Sequence, residues 1–271
     1  MSRIATIFRQ LRAEGRTGLM PFVTGGYPSL RATEEALPAL QQAGAHIVEI
    51  GIPFSDPIAD GPVIAQSMHL ALEAGVTPTA IFDTVRSARP SLSLGLVAMV
   101  STSIVTKMGK REFISQACRA GFDGLIVPDA DTDGGASSPA GRLARAAEDE
   151  GLTCSFLIAP TTTPARLKSL ASISSGFVYV LARVGITGER DEAPQIVARI
   201  AAVRQATELP IAVGFGIARP EHAQAVAQHA DAVIIGSALV RRMGESPEPV
   251  KAAVEFIASI AAALRSREAP L

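Results

Sequence analysis

Short apolar runs alternate along this chain with longer stretches whose apolar residues recur at helical spacing. Ile4, Ile7, Phe8 and Leu11 share one face of a 3.6-residue period, which predicts a short amphipathic helix over residues 3–14, ended by Gly15 and Gly18. The run at 19–24 (LMPFVT) predicts a strand, Gly25-Gly26-Tyr27-Pro28 a turn, and Ser29 is placed to cap a helix reaching about Ala43. The alternation then repeats. Strands are predicted at 47–51, 94–99, 124–127, 153–158, 177–181, 211–213 and 232–235, and helices at 78–88, 111–120, 140–150, 164–172, 193–206, 220–228 and from about 247.

The strand segments are almost wholly apolar, as strands are when both faces are covered. Eight strands in strict alternation with helices, in a chain of 271 residues, point to an α/β protein and to a single (β/α)8 TIM barrel with an extra N-terminal helix rather than an open sheet. No composition shift or linker divides the chain, so 1–271 reads as one domain. The stretches 129–140 (DADTDGGASSPA) and 185–194 (GITGERDEAP) are the two best candidates for mobile surface loops.

Composition narrows the function. The chain is 48% hydrophobic, and 25 basic against 26 acidic residues leave a net charge of −1 with no run of either sign. Neither nucleic acid nor an anionic membrane is an expected partner. The N-terminal stretch is charged and lacks the apolar core of a signal peptide, and no apolar run approaches the roughly 20 residues of a membrane span, so a cytoplasmic location is expected. Cys118 and Cys154 fall in a predicted helix and strand and read as free thiols, and the four histidines show no metal-binding spacing.

The stretch 46–63 (HIVEIGIPFSDPIADGPV) carries the strongest chemical signal. It sets Glu49 inside a strand, then leaves through a loop stiffened by Pro53, Pro57 and Pro62 that bears Asp56 and Asp60, before a further helical segment at 63–73. By strand alternation Ile47, Glu49 and Gly51 share one face and Val48 and Ile50 the other. The apolar pair must meet the helices, which turns Glu49 into the barrel mouth, where lost hydration raises a carboxyl pKa and suits it to general acid–base work. Asp56 and Asp60 are not ranked by these considerations: the first fits a turn-opening Asp-Pro, the second a helix cap.

At the other end of the chain, Gly214-Phe215-Gly216 follows the seventh strand and Gly236-Ser237 the eighth, with Gly188 after the sixth. Barrels often bind phosphate with backbone N–H groups of the loops after strands seven and eight. Lys107, Lys110, Lys168 and Lys251 fall in loops or helices, which disfavours an aldolase working through a lysine imine.

EIGIPFSDPIADGPVI closely resembles the signature of the tryptophan synthase α subunit family, and PFVTGGYP, GLIVPD, RVGITG, GFGI and IIGSALV are similar to further blocks of that family in the same order. The resemblance spans nearly the whole chain. It implies retro-aldol cleavage of indole-3-glycerol phosphate to indole and glyceraldehyde 3-phosphate in tryptophan biosynthesis. It implies no cofactor in this chain, with pyridoxal phosphate only in a partner β subunit of an α2β2 heterotetramer. Carried over residue by residue, it makes Glu49 the general acid/base and Asp60 the carboxylate facing the indole N–H. It puts Phe22 and Phe215 in the walls of the indole pocket, makes Tyr179 an active-site, substrate-binding tyrosine, and puts Thr187 on the loop that helps order the site and Gly188, Gly216, Gly236 and Ser237 in the phosphate cradle.

Two segments depart from the pattern. Val100-Ser101-Thr102-Ser103-Ile104 stands where the family has Tyr, Asn and an Asn-Pro, and Ala130-Asp131-Thr132-Asp133-Gly134-Gly135 replaces a proline-rich continuation. Competing readings are a sugar-phosphate isomerase or epimerase barrel, which needs a second acid–base group or a metal, and a non-catalytic subunit that only regulates a partner. The presence of both Glu49 and Asp60 speaks against the second.

Overall fold

The computed structural model describes residues 2–56, 61–181, 193–214 and 216–265. Its strands are β1 (Gly18–Thr24), β2 (Ile47–Gly51), β3 (Gly95–Met99), β4 (Gly124–Ile126), β5, β6 (Val178–Leu181), β7 (Ile211–Gly214) and β8 (Ala232–Ile235). Strand β5 is one extended stretch in two segments, Thr153–Ser155 and Leu157–Ile158, with Phe156 between them. Its first segment pairs with β4 and its second with β6, while β1 pairs with both β2 and β8, all in parallel. The sheet therefore closes on itself through β5, and the expected eight-stranded α/β barrel is what forms.

The helices are α1 (Arg3–Ala13), α2 (Leu30–Gln42), α3 (Pro62–Glu73), α4 (Pro78–Ala88), α5 (Thr102–Met108), α6 (Lys110–Ala120), α7 (Pro139–Asp149), α8 (Pro164–Ile173), α9 (Ala193–Ala206), α10 (Pro220–Ala227), α11 (Ser237–Glu245) and α12 (Pro249–Arg265). Local sequence sets several starts. Ser29 Oγ accepts from the Ala32 N–H at 3.0 Å, and Thr77, Ser138 and Thr163 cap α4, α7 and α8 with proline following each. Helices α5 and α11 were not anticipated from the pattern.

Two apolar layers result. Val48, Ile50, Leu96 and Val213 face outward into the layer shared with the helices, whereas Met20, Phe22, Ile47, Val97 and Ile234 fill the barrel. Helix α1 stoppers the lower end: Ile4 and Phe8 enter the interior cluster, with the Phe8 and Phe177 rings 5.8 Å apart. Arg3 donates to Asp123 at 3.2 Å and Arg12 lies 3.6 Å from Asp231, fixing α1 across the opening. Among the described residues no helix is long and apolar enough to cross a membrane.

The stretch 129–140, expected to be mobile, is held by its own bonds. Ala140 N–H donates to the Asp131 carbonyl at 3.0 Å, Asp133 N–H to the Asp131 carboxylate at 3.0 Å, and Arg166 pairs with Asp133 at 2.7 Å. Short Asp and Ser side chains that bond their own backbone explain the order. Most of 185–194 lies outside the described residues.

Candidate active site

Glu49 points into the barrel as alternation requires. It is paired in register with Phe22 on β1 and Val97 on β3, and is fully buried. Neither carboxyl oxygen has a hydrogen-bond partner among the described residues. Desolvation pushes its pKa well above the usual carboxylate range, so the group is held as a neutral acid. Among the described strand residues it is the one carboxylate, and Arg and Lys are missing from all of them.

Above it opens a pocket of about 590 Å³ whose walls include Phe22, Ile64, Met99, Tyr179 and Ile234, with Gly216, Gly236 and Ser237 at the rim. That volume suits a small ligand. Two glycines make the aromatic floor. A Cβ on Gly51 would stand 2.5 Å from Phe22 Cζ, and one on Gly214 would stand 2.4 Å from Tyr179 Oη. Each ring fills the place of a missing side chain on the neighbouring strand. Glu49 itself is not part of the pocket wall; the Phe22 ring covers the next inward position, Gly51.

Helix α3 brings Ile64 to this wall and is tied to β1 by the buried Thr24–Ser67 hydroxyl pair at 2.6 Å, with Ser67 also donating to the Ile64 carbonyl at 2.7 Å. At the rim, Gly216 takes φ +82°, a conformation that favours glycine. Helix α11 starts at Ser237: the Leu239 and Val240 N–H groups bond the Gly236 carbonyl at 2.8 and 3.1 Å. The first two N–H groups, of Ser237 and Ala238, have no intrahelical acceptor and lie where an anion is favoured.

A family model described as Tryptophan synthase alpha chain matches residues 8–266. The chain belongs to that family. Among tryptophan synthase alpha chains, that of Halorhodospira halophila is 44% identical over 247 residues, covering 90% of this chain and 89% of the relative. That of Rhodopirellula baltica is 39% identical over 277 residues and covers 98% of each. Among solved structures, the tryptophan synthase subunit alpha of Legionella pneumophila superposes with a TM-score of 0.89 at 31% identity, covering 98% of this chain and 99% of that one. A chain of Mycobacterium tuberculosis tryptophan synthase gives 0.88 at 33% identity, covering 97% and 98%.

Of the residues read from the sequence as this chain's site, Phe22, Tyr179, Gly216, Gly236 and Ser237 come together on one pocket, with Glu49 buried beneath it. Asp60, Thr187, Gly188 and Phe215 lie outside the described residues. Asp56 is exposed on the loop after β2. The wall also holds residues that sequence reasoning missed: Ile64, Met99, Leu157, and the arginines Arg219, Arg241 and Arg242. On α11, Ala238, Arg241, Arg242 and Glu245 recur at helical spacing, a signal readable only once 237–245 is recognised as a helix.

The atypical segment 100–104 has its own solution. Asp129 accepts from Ser101 Oγ at 2.6 Å and from the Thr102 N–H at 2.9 Å, while Ser101 caps α5. The loops after β3 and β4 are thereby fastened to each other, next to the wall residues Met99, which ends β3, and Pro128.

Proposed function

We propose that this chain cleaves indole-3-glycerol phosphate to indole and glyceraldehyde 3-phosphate, as a single-domain enzyme needing no cofactor of its own. The observation that carries the proposal is the layering of one pocket: an aromatic floor, an anion-favouring rim at α11, and a buried protonated carboxyl beneath the floor. A planar apolar ring suits the floor and a phosphate the rim.

Glu49 gives its proton to indole C3, which forms an indoleninium cation. The Glu49 carboxylate then takes the proton of the hydroxyl on the adjoining glycerol carbon as the carbon–carbon bond breaks. The bonding electrons return to the ring, the aldehyde forms, and Glu49 regains its proton. Asp60 stabilises the cation at the ring N–H, and its chain neighbour Gly61 lines the pocket. Because Glu49 is covered, either its side chain or the Phe22 ring must turn before protonation. Acid–base assistance of this kind supplies about 10²–10⁴-fold. Tyr179, Phe22 and Phe215 hold the ring, Thr187 helps order the site, and Gly188, Gly216, Gly236 and Ser237 hold the phosphate.

Family membership supports a β-subunit partner, and we infer an α2β2 heterotetramer in which pyridoxal phosphate belongs to the partner alone. The test is indole release from indole-3-glycerol phosphate by the purified chain, with and without a co-expressed β subunit, with co-purification read alongside. No indole in either case overturns the activity; activity without co-purification overturns the assembly.

A further inference from the structure

Two guanidinium groups on the pocket wall are given no role by the cradle described above. Arg219 stands at the N-cap position of α10, just after Gly216, and Arg241 lies one turn beyond Ser237 on α11. Both are exposed, and among the described residues neither guanidinium takes part in a hydrogen bond or ion pair. Arg242 on the same helix face is different: it donates to the Ala238 carbonyl at 2.9 Å and lies 3.9 Å over the Phe256 ring. Glu245, a turn further along α11, is also on the wall, and no ion pair joins it to either arginine. Positive charge is thus concentrated at the Gly216 and Ser237 side of the mouth on a chain of net charge −1. Two cations facing one concavity repel each other unless an anion lies between them.

We propose that Arg219 and Arg241 form a cationic collar that engages the substrate's phosphate dianion from the solvent side, while the N–H groups of Ser237 and Ala238 hold it from the helix side. This rests on the phosphate end of the substrate lying at the α11 rim. Backbone N–H groups fix position but carry only partial charge, whereas guanidinium groups match phosphate oxygens and add full charge. Being exposed, the collar is sensitive to salt, which a purely structural role for these side chains is not.

The experiment is calorimetric titration of the full chain with glycerol 3-phosphate at several NaCl concentrations, for wild type, R219Q/R241Q and R219K/R241K, together with KM and kcat for indole release. The glutamine pair is expected to weaken binding about 10-fold at low salt and to flatten its salt dependence. KM should rise more than kcat falls, and the lysine pair should fall between the two. Glutamine variants that bind with wild-type affinity and salt slope overturn the collar and leave the cradle standing. Failure of wild type to bind glycerol 3-phosphate overturns the cradle itself. If the double variant loses its circular dichroism, the singles R219Q and R241Q, each expected to lose about threefold, decide the matter.

Discussion

Glu49 and Phe22 are register partners across β2 and β1, yet only Phe22 meets the pocket; the carboxyl lies buried beneath it without a hydrogen-bond partner among the described residues. The pairing predicts opposite effects of one substitution. Glu49→Gln removes the acid and should lower indole release at least ~10²-fold. It should also stabilise the fold at neutral and alkaline pH. The folded-state pKa of Glu49 is raised, so the folded chain holds a proton that the unfolded chain releases above about 4.5. Stability from this group is complete below 4.5 and is lost as pH rises towards the folded pKa, at up to ~1.4 kcal/mol per pH unit. Melting temperatures across pH 4–9 should show wild type and Glu49→Gln converging in acid and separating above it. Parallel curves would contradict the buried-acid reading.

His46 runs the other way. Its Nδ1 accepts from the Leu19 N–H at 3.1 Å, which places the proton of the neutral ring on Nε2, and Arg16 Nη2 is 3.4 Å from that nitrogen. Burial first, then Arg16, lowers the His46 pKa to about 4. The unfolded chain therefore takes up a proton near pH 6.5 that the folded one refuses, and stability is lost as pH falls from 6.5 towards 4. His46→Asn, which keeps an acceptor for Leu19, should flatten this acid limb in urea titrations between pH 7 and pH 4.

Gly214→Ala sets a methyl where Tyr179 Oη now stands, 2.4 Å from the ideal Cβ. The tyrosine must move into the pocket or the strands must part. A loss of ~1–3 kcal/mol by chemical denaturation is expected, with a raised KM for indole-3-glycerol phosphate. A variant of unchanged stability and KM would show that Tyr179 does not depend on this gap.

Asp129→Ala removes the acceptor for Ser101 Oγ and the Thr102 N–H. Loss of a capping partner of this kind costs ~1–2 kcal/mol. The effect should appear as faster hydrogen exchange over α5, and equal exchange in both proteins would dismiss the fastening of the two loops.

The inward aim of Glu49 was legible because strand period two allows only one assignment once Val48 and Ile50 are given to the helices, and the outer cluster contains both. The closed barrel was legible from eight apolar runs. Helix α11 was hidden for a physical reason: Ile234–Ile235 and Leu239–Val240 form one nearly continuous apolar stretch, and only Gly236 marks the change from strand to helix. Helix α5, TSIVTKM, is rich in β-branched residues with weak helix propensity, and its start relies on Ser101 and on Asp129 from another loop. Nothing in the sequence singled out Arg219 and Arg241, because which side of a loop and helix meets a pocket is decided by tertiary packing.

Helix α1, expected as an extra N-terminal helix, closes the lower end of the barrel with Ile4 and Phe8, and among the described residues the pocket's doorway lies at the upper mouth. On the proposed reading the ring sits deep and the phosphate near the lip, so newly made indole lies behind the glyceraldehyde phosphate. Order of departure then becomes a matter of what stands in the doorway, and a partner docked there would decide where the indole goes next.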